Sequence, residues 1–255
     1  MQSCCEKSTE KAFSCRIRSL LSAYGPEMSF VGFWVQKIDG ENKAMISRLD
    51  NSFVLAAQAG ADFSELAEFF SLFAGTLLCS KAAAENMMLS VQRTGPILSR
   101  FCSGEQREGQ VCREGKTNFQ EVYQLLCSCA SSEFQVPDWE PFYLDLSHRV
   151  RHGQAFVTDI VKEGELVACT IVSAQTETDA VLSAVACNPG FQGKGFGKQV
   201  VLRTLDQLKN KTVYVFCATE KMSGFYQLLG WMPSGTWAEI DFEKGDNLDA
   251  DVSVF

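Results

Sequence analysis

Residues Cys187 to Val200 read CNPGFQGKGFGKQV, with glycines at Gly190, Gly193, Gly195 and Gly197 and lysines at Lys194 and Lys198. The stretch joins a β-type run, VLSAVAC (181–187), to a helix-type run, QVVLRTLDQLKN (199–210). Each glycine raises the entropy lost on ordering, so the cluster needs a physical reason. Backbone amides at a helix start lack intrahelical partners and sit at the positive end of the helix dipole. A glycine-rich turn entering a helix is therefore an anion cradle, and phosphate is the first ligand to consider.

Spacing discriminates among phosphate loops. A P-loop needs G-x-x-x-x-G-K followed by Ser or Thr, but Gln199 follows Lys198 and Gln192 stands five before Gly197. A dinucleotide fingerprint, G-x-G-x-x-G, fails as well: counted from Gly193 its last place is Lys198, and from Gly195 it is Val200. The pattern Q/R-x-x-G-x-G/A is met by Gln192-Gly193-Lys194-Gly195-Phe196-Gly197, after a strand ending Val185-Ala186-Cys187-Asn188-Pro189. This segment resembles the pyrophosphate loop of the GNAT (GCN5-related) N-acetyltransferases, and the resemblance covers roughly Phe119 to Phe242.

The resemblance implies a fold, a co-substrate and a site. The fold is α+β: a mostly antiparallel mixed sheet with a splayed central strand pair and flanking helices. The co-substrate is acetyl-CoA. Gln192, Gly193, Lys194, Gly195, Phe196, Gly197 and Lys198 carry over as the pyrophosphate cradle. Main-chain groups of Val185, Ala186 and Cys187 carry over as partners of the pantetheine arm and the acyl oxygen, where an aimed amide acts as an oxyanion hole does.

A second family motif, N-x-x-A-x-x-F-Y-x-x-x-G-F, is matched from Thr219 by Phe225, Tyr226, Gly230 and the aromatic Trp231. The resemblance makes Tyr226 the catalytic acid that protonates the departing thiolate, a useful task for a thiol whose pKa is about 8.5. The other reading of Tyr226 is a helix aromatic packed in the core. Thr219, taken as a cofactor-binding position, replaces Asn, and Met222 replaces the small Ala. The place of the glutamate base that some members carry falls at Val181, so either a water chain takes the proton or the amine arrives neutral. Cys187 has no base paired with it in sequence, which favours direct transfer over an acyl-cysteine route.

Composition bounds the rest. The 255 residues are 46% hydrophobic and 21% charged, as in ordinary globular proteins, and no run approaches the roughly 18 apolar residues of a membrane span. The first residues, MQSCCEKSTEKAFSCRIRSLL, hold no apolar run of the kind a secretion signal needs. Eleven cysteines, among them Cys79, Cys169, Cys187 and Cys217 in apolar runs, read as buried, reduced thiols of a cytoplasmic protein. No cysteine spacing fits zinc. The histidines, His148 and His152, stand four apart near a predicted helix end; they suit that end better than a metal, and a place beside the acceptor is the alternative. A net charge of −8 argues against nucleic acid and suits a cationic partner such as a polyamine, an aminoglycoside or a basic peptide, while the resemblance implies a small-molecule or peptide amine as acceptor.

The polar run SGEQREGQVCREGKTN, residues 103–118, divides residues 1–102 from an acetyltransferase domain at 119–255. The first part contains strands in SFVGFWVQKID, KAMISRL and NSFVLAAQ, then a helix capped by Asp62 or Ser64 and ended by Gly75. It reads as a truncated GNAT-like domain, in tandem with the second, or as a plain interaction domain. Its GADFSELAEFF stands where the glycine loop would be and brings acids in place of glycines, so no pyrophosphate is expected there. The order expected in the second part is helix, helix, three strands, helix, strand, helix and a final strand pair. The functional expectation is an acetyl-CoA-dependent N-acyltransferase working by direct attack in a ternary complex. The alternative is a CoA-binding sensor or scaffold without chemistry.

Overall fold

The computed structural model describes residues 2–104, 118–132 and 134–242. The first half runs α1 (Gln2–Tyr24), β1 (Val31–Ile38), β2 (Glu41–Leu49), β3 (Ser52–Ala57), α2 (Phe63–Ser71), β4 (Gly75–Ser80), α3 (Lys81–Asn86) and β5 (Arg93–Phe101). The second half runs α4 (Phe119–Ser128), α5 (Trp139–Arg151), β6 (Phe156–Lys162), β7 (Glu165–Gln175), β8 (Asp179–Cys187), α6 (Phe196–Gln207), β9 (Thr212–Phe216), α7 (Glu220–Leu228) and β10 (Met232–Phe242). Most of the expected linker, residues 105–117, lies outside the described residues.

Local chemistry explains the boundaries. The β1–β2 and β6–β7 hairpins turn on Asp39-Gly40 and Glu163-Gly164, each with positive φ at both residues (52° and 80°; 55° and 84°), as a right-twisted hairpin requires. Asp62 caps α2 by accepting from the Ser64 and Glu65 amides. That helix stops at Ser71 rather than Gly75, and Gly75 opens β4 instead: at φ 151° it passes so close to the Asn51 carbonyl that a Cβ would collide with it. The expected final strand pair is one strand, β10, whose register slips between Pro233 and Gly235 without turning.

The ten strands among the described residues share one sheet, in the order β1-β2-β3-β4-β10-β5-β9-β8-β7-β6. The order is palindromic. Within each half, three antiparallel strands lead to a parallel pair, β3/β4 or β8/β9. The strand beside that pair comes from the other half: β10 pairs with β4, β5 pairs with β9, and the two exchanged strands pair with each other. Separating the halves would therefore strip a partner strand from each parallel pair and expose its edge to water.

Strand alternation sends successive side chains to opposite faces. Val181 packs beneath α1 with Phe13, Ile97 and Tyr214, while Leu182 packs beneath α6 and α7 with Val201, Leu205 and Tyr226. Helices α4 and α5 cover Cys169, Ile171 and Ala186 at one end of the sheet, and α2 and α3 cover Ile46, Leu55 and Leu77 at the other. Of the cysteines expected to be buried, Cys79, Cys169 and Cys217 are, and burial pushes their thiols up to about 12. Cys187 is a correction: it is only partly buried, because its strand ends at an opening described below.

Helix α1 also ties the halves together. Thr9 donates to the Ser234 carbonyl of β10 (2.6 Å), and Glu10 accepts from the Ala57 amide at the end of β3 (2.8 Å). Burial raises the Glu10 carboxyl from 4.5 to about 7, against the lowering effect of Ser80 and the Ala57 amide. A carboxyl raised on folding binds its proton more tightly in the native state. Its contribution is complete below pH 4.5 and is lost as pH rises toward 7. The unfolding free energy of Glu10→Gln relative to the parent should accordingly rise by up to about 3 kcal/mol between pH 4.5 and 8. Denaturant unfolding at both pH values checks this, and a pH-independent difference would contradict it.

Candidate active site

The site begins with a slip in β8. Val172 pairs with Leu182 and Ile171 with Ala184, so Ser183 is left over on β8; Ser173 is skipped on β7 in the same way, and the two hydroxyls hydrogen-bond each other. An extra residue bends a strand and strengthens its twist. The parallel pairing of β8 with β9 accordingly ends at Leu182–Val215. Beyond that point β8 stays paired with β7 as far as Cys187, and β9 with β5 as far as Phe216. A wedge opens between β8 and β9, and Ser183, in mid-strand, is exposed there. Val185, Ala186 and Cys187 border the wedge with one backbone edge paired to Thr170, Cys169 and Ala168, and no strand on the other.

The glycine loop closes over the wide end. Asn188 accepts from the Gly190 amide (2.9 Å) and donates to Glu165 (2.7 Å), which fixes the single 3-10 turn Pro189–Phe191. Gln192 Nε2 donates to the Cys187 carbonyl (3.2 Å), and Lys194 donates to the Gly190 carbonyl (2.9 Å) with its ammonium 4.9 Å from the Phe191 ring centre. Gly193 and Gly195 have φ of 74° and 85°, in the left-handed region that glycine enters freely. Gly195 is the N-cap of α6, where no side chain caps the helix and no acid stands in the first turn.

A Cβ added at Gly193, Gly195 or Gly197 would meet nothing within 4 Å. The first-turn amides of α6 thus open onto free space, with Lys198 on the same turn. These features fit a diphosphate held by main-chain donors. The Cys187 thiol lies beside the loop, donating to the Asn188 carbonyl (3.9 Å), and burial with nearby Cys129 raises its pKa. The first half lacks such a cradle for a visible reason. At α2, the Asp62 carboxylate occupies the Ser64 and Glu65 amides (3.0 and 3.1 Å), and Gln36 locks both Asp62 and Glu65.

On the far side of the wedge, Thr219 caps α7 with its hydroxyl accepting from the Met222 amide (3.2 Å). Tyr226 is 3% exposed, packed edge-on against Phe225 and Trp231 in the same cluster that Val185 adjoins. Burial, then Cys217, raises its phenol above the ordinary tyrosine range, so it keeps its proton at neutral pH. Val181, in the place of a base, is fully buried, and Asp179 accepts from the Tyr214 and Thr178 hydroxyls (3.2 and 2.5 Å).

The histidines serve the helix end. His148 Nε2 bonds the Ala23 carbonyl of α1 (2.8 Å), its ring stacks on Tyr24, and His152 Nδ1 bonds the His148 carbonyl (2.9 Å). Among the described residues no group of three His, Cys, Asp or Glu is placed to hold a metal. Sequence reasoning missed the opening at Ser183, because a register slip between two strands leaves no local pattern.

Residues 119–231 match the family model described as the Acetyltransferase (GNAT) family. These residues are a GNAT domain. The whole chain is similar in fold to a GCN5-related N-acetyltransferase from Kribbella flavida (TM-score 0.60, 12% identity, covering 93% of this chain and 96% of that one). It is similar also to a tandem GNAT protein from the clavulanic acid biosynthesis pathway (0.61, 13%, 97% and 96%). A third likeness is to a GCN5-related N-acetyltransferase from Sphaerobacter thermophilus (0.55, 12%, 96% and 95%). At these identities the likeness is one of fold, and it extends over the first half, which is GNAT-like as well. No sequence of a curated protein matches the chain significantly. No helix among the described residues is long and apolar enough to cross a membrane.

Proposed function

We propose that the chain is an N-acyltransferase that takes an acetyl group from acetyl-CoA and passes it to an amine by direct attack in a ternary complex. The observation that carries this reading is the uncapped α6 N-terminus, with its open glycine cradle, at the mouth of the β8/β9 wedge. Acetyl-CoA, when bound, supplies the activated acyl group as a thioester. The amides from Gly193 to Lys198 hold its diphosphate, and Gln192 braces the loop against Cys187. The free edge of Val185, Ala186 and Cys187 adds the pantetheine arm as an extra strand and aims an amide at the acyl oxygen. Transfer forms an amide N–C bond and breaks the thioester C–S bond; the amine loses a proton to water, and Tyr226 gives the departing sulfur its proton.

Residues 1–102 form the second, cofactor-free unit of a tandem, and α1 borders the acceptor side. Acetyl-CoA at 100 times its dissociation constant should add about 2.7 kcal/mol to stability, visible as a melting shift, whereas ATP and NAD should not shift the melt. A shift with ATP or NAD and none with acetyl-CoA would overturn the assignment of the loop. The second reading, a CoA-binding sensor, is favoured by the deep packing of Tyr226. Thiol release above buffer with any amine in a panel excludes it.

A further inference from the structure

The side of the wedge that faces α1 and α5 carries an unexplained positive charge. Arg16, on α1, holds its guanidinium over the ring of Phe216, 5.7 Å from the centre. Phe216 is the residue of β9 just past the last β8/β9 pair, and it packs against Phe13 of the same helix. Among the described residues the half-buried Arg16 side chain has no hydrogen-bond or ion-pair partner. Its neighbour is another cation: burial, then the Arg149 charge, lowers Arg16 from 12.5 to about 10.

Arg149 reaches in from α5, with Nε on Asp145 (2.7 Å) and Nη1 on the Ser173 carbonyl (3.4 Å). Asp145 is committed already, since the same oxygen accepts from the Tyr24 hydroxyl (2.8 Å). Ser173 in turn holds the hydroxyl of Ser183, the exposed residue of the bulge. Arg149, Ser173 and Ser183 are thus linked one to the next on the β7/β8 side, and Arg16 lies over Phe216 on the β9 side. Two guanidinium groups have one carboxylate between them there. That leaves room for a second anion, and the planar guanidinium fork matches a carboxylate.

We propose that the acceptor is a small amine bearing a carboxylate a few bonds from its nitrogen, an amino acid in chemical class, and that Arg16 holds the carboxylate. The inference rests on the acyltransfer reading above and names its substrate. Overall charge points elsewhere, since a chain of net charge −8 favours cationic partners, but recognition follows the local field of the cleft. With the carboxylate on Arg16, over Phe216, the amine is left at the bulge, where the acyl oxygen site begins.

The test compares acceptors that differ by the carboxylate alone: phenylalanine with phenethylamine, leucine with isoamylamine, glycine with methylamine. Thiol release is measured and expressed per neutral amine. The expected kcat/KM is at least about a hundredfold higher for the carboxylate member of the preferred pair, because a site with unpaired polar groups rejects the analogue lacking their partner. Arg16→Gln should collapse that ratio, chiefly through KM, and Arg16→Lys should restore part of it. A retained acetyl-CoA melting shift shows that the variants are folded. Equal rates within every pair, or a ratio untouched in Arg16→Gln, overturn the proposal while leaving acyltransfer intact.

Should acetyl-CoA fail to bind, calorimetry with N-acetylphenylalanine against N-phenethylacetamide still decides the acceptor site. Carboxylate-dependent binding lost in Arg16→Gln supports the assignment. Equal binding, or none, removes it.

Discussion

Gly195→Glu is expected to abolish acetyl-CoA binding in a protein that still folds. Gly195 is the N-cap of α6 at φ 85°, and a Cβ there points into open space, so no neighbour is displaced. The left-handed backbone costs a non-glycine residue about 1 kcal/mol, which an intact domain of ordinary stability tolerates. The new carboxylate stands before the first-turn amides and competes for them as Asp62 does at α2. It also repels a diphosphate arriving at the same place. Where the parent gains about 2.7 kcal/mol from saturating acetyl-CoA, the variant should gain nothing measurable. Gly195→Ala carries the backbone cost without the charge and should keep most of the shift. Parent-like affinity in Gly195→Glu, measured by calorimetry, would show that the cradle does not hold the co-substrate.

Tyr226→Phe is expected to bind acetyl-CoA as the parent does and to transfer about a hundred to ten thousand times more slowly. The ring lies edge-on to Phe225 and Trp231, and phenylalanine keeps both contacts. What disappears is a proton that burial holds on the phenol throughout the neutral range. The loss should therefore appear in kcat, with the melting shift preserved, and the parent rate should show no phenol ionisation near pH 7. An equal rate in the variant, with chemistry established as the slow step, would make Tyr226 a packing residue. The sensor reading would then gain on the enzyme.

The second half was legible because its signals are local. Gln192 to Gly197 set the loop by spacing alone, and the loop does lead from β8 into α6. The sequence left the cap of α2 to Asp62 or Ser64, and Asp62 takes it. The strands β4 and β5 gave weaker signals. Pro96 interrupts the second of them, and its pairing with β9 starts only at Ile97. The final segment looked like a hairpin because Pro233 and Gly235 punctuate it, yet the slip there is absorbed within one strand by the neighbours on either side.

Taken by itself, the sequence determined the element order from residue 119 as far as α7 and the glycine loop that leads from β8 into α6, since each depends on residues within a turn or two of one another. The tertiary structure decided what depends on distant segments. It placed β10 between β4 and β5, and so made the halves one sheet. It opened the wedge by slipping β8 against β7 at Ser183, a matter of register between two strands. It brought Arg16 of the first helix over Phe216, 200 positions later in the chain. Charge and hydrophobic period act along the chain, but a pocket is made where the chain returns to itself, and burial alone assigns those partners.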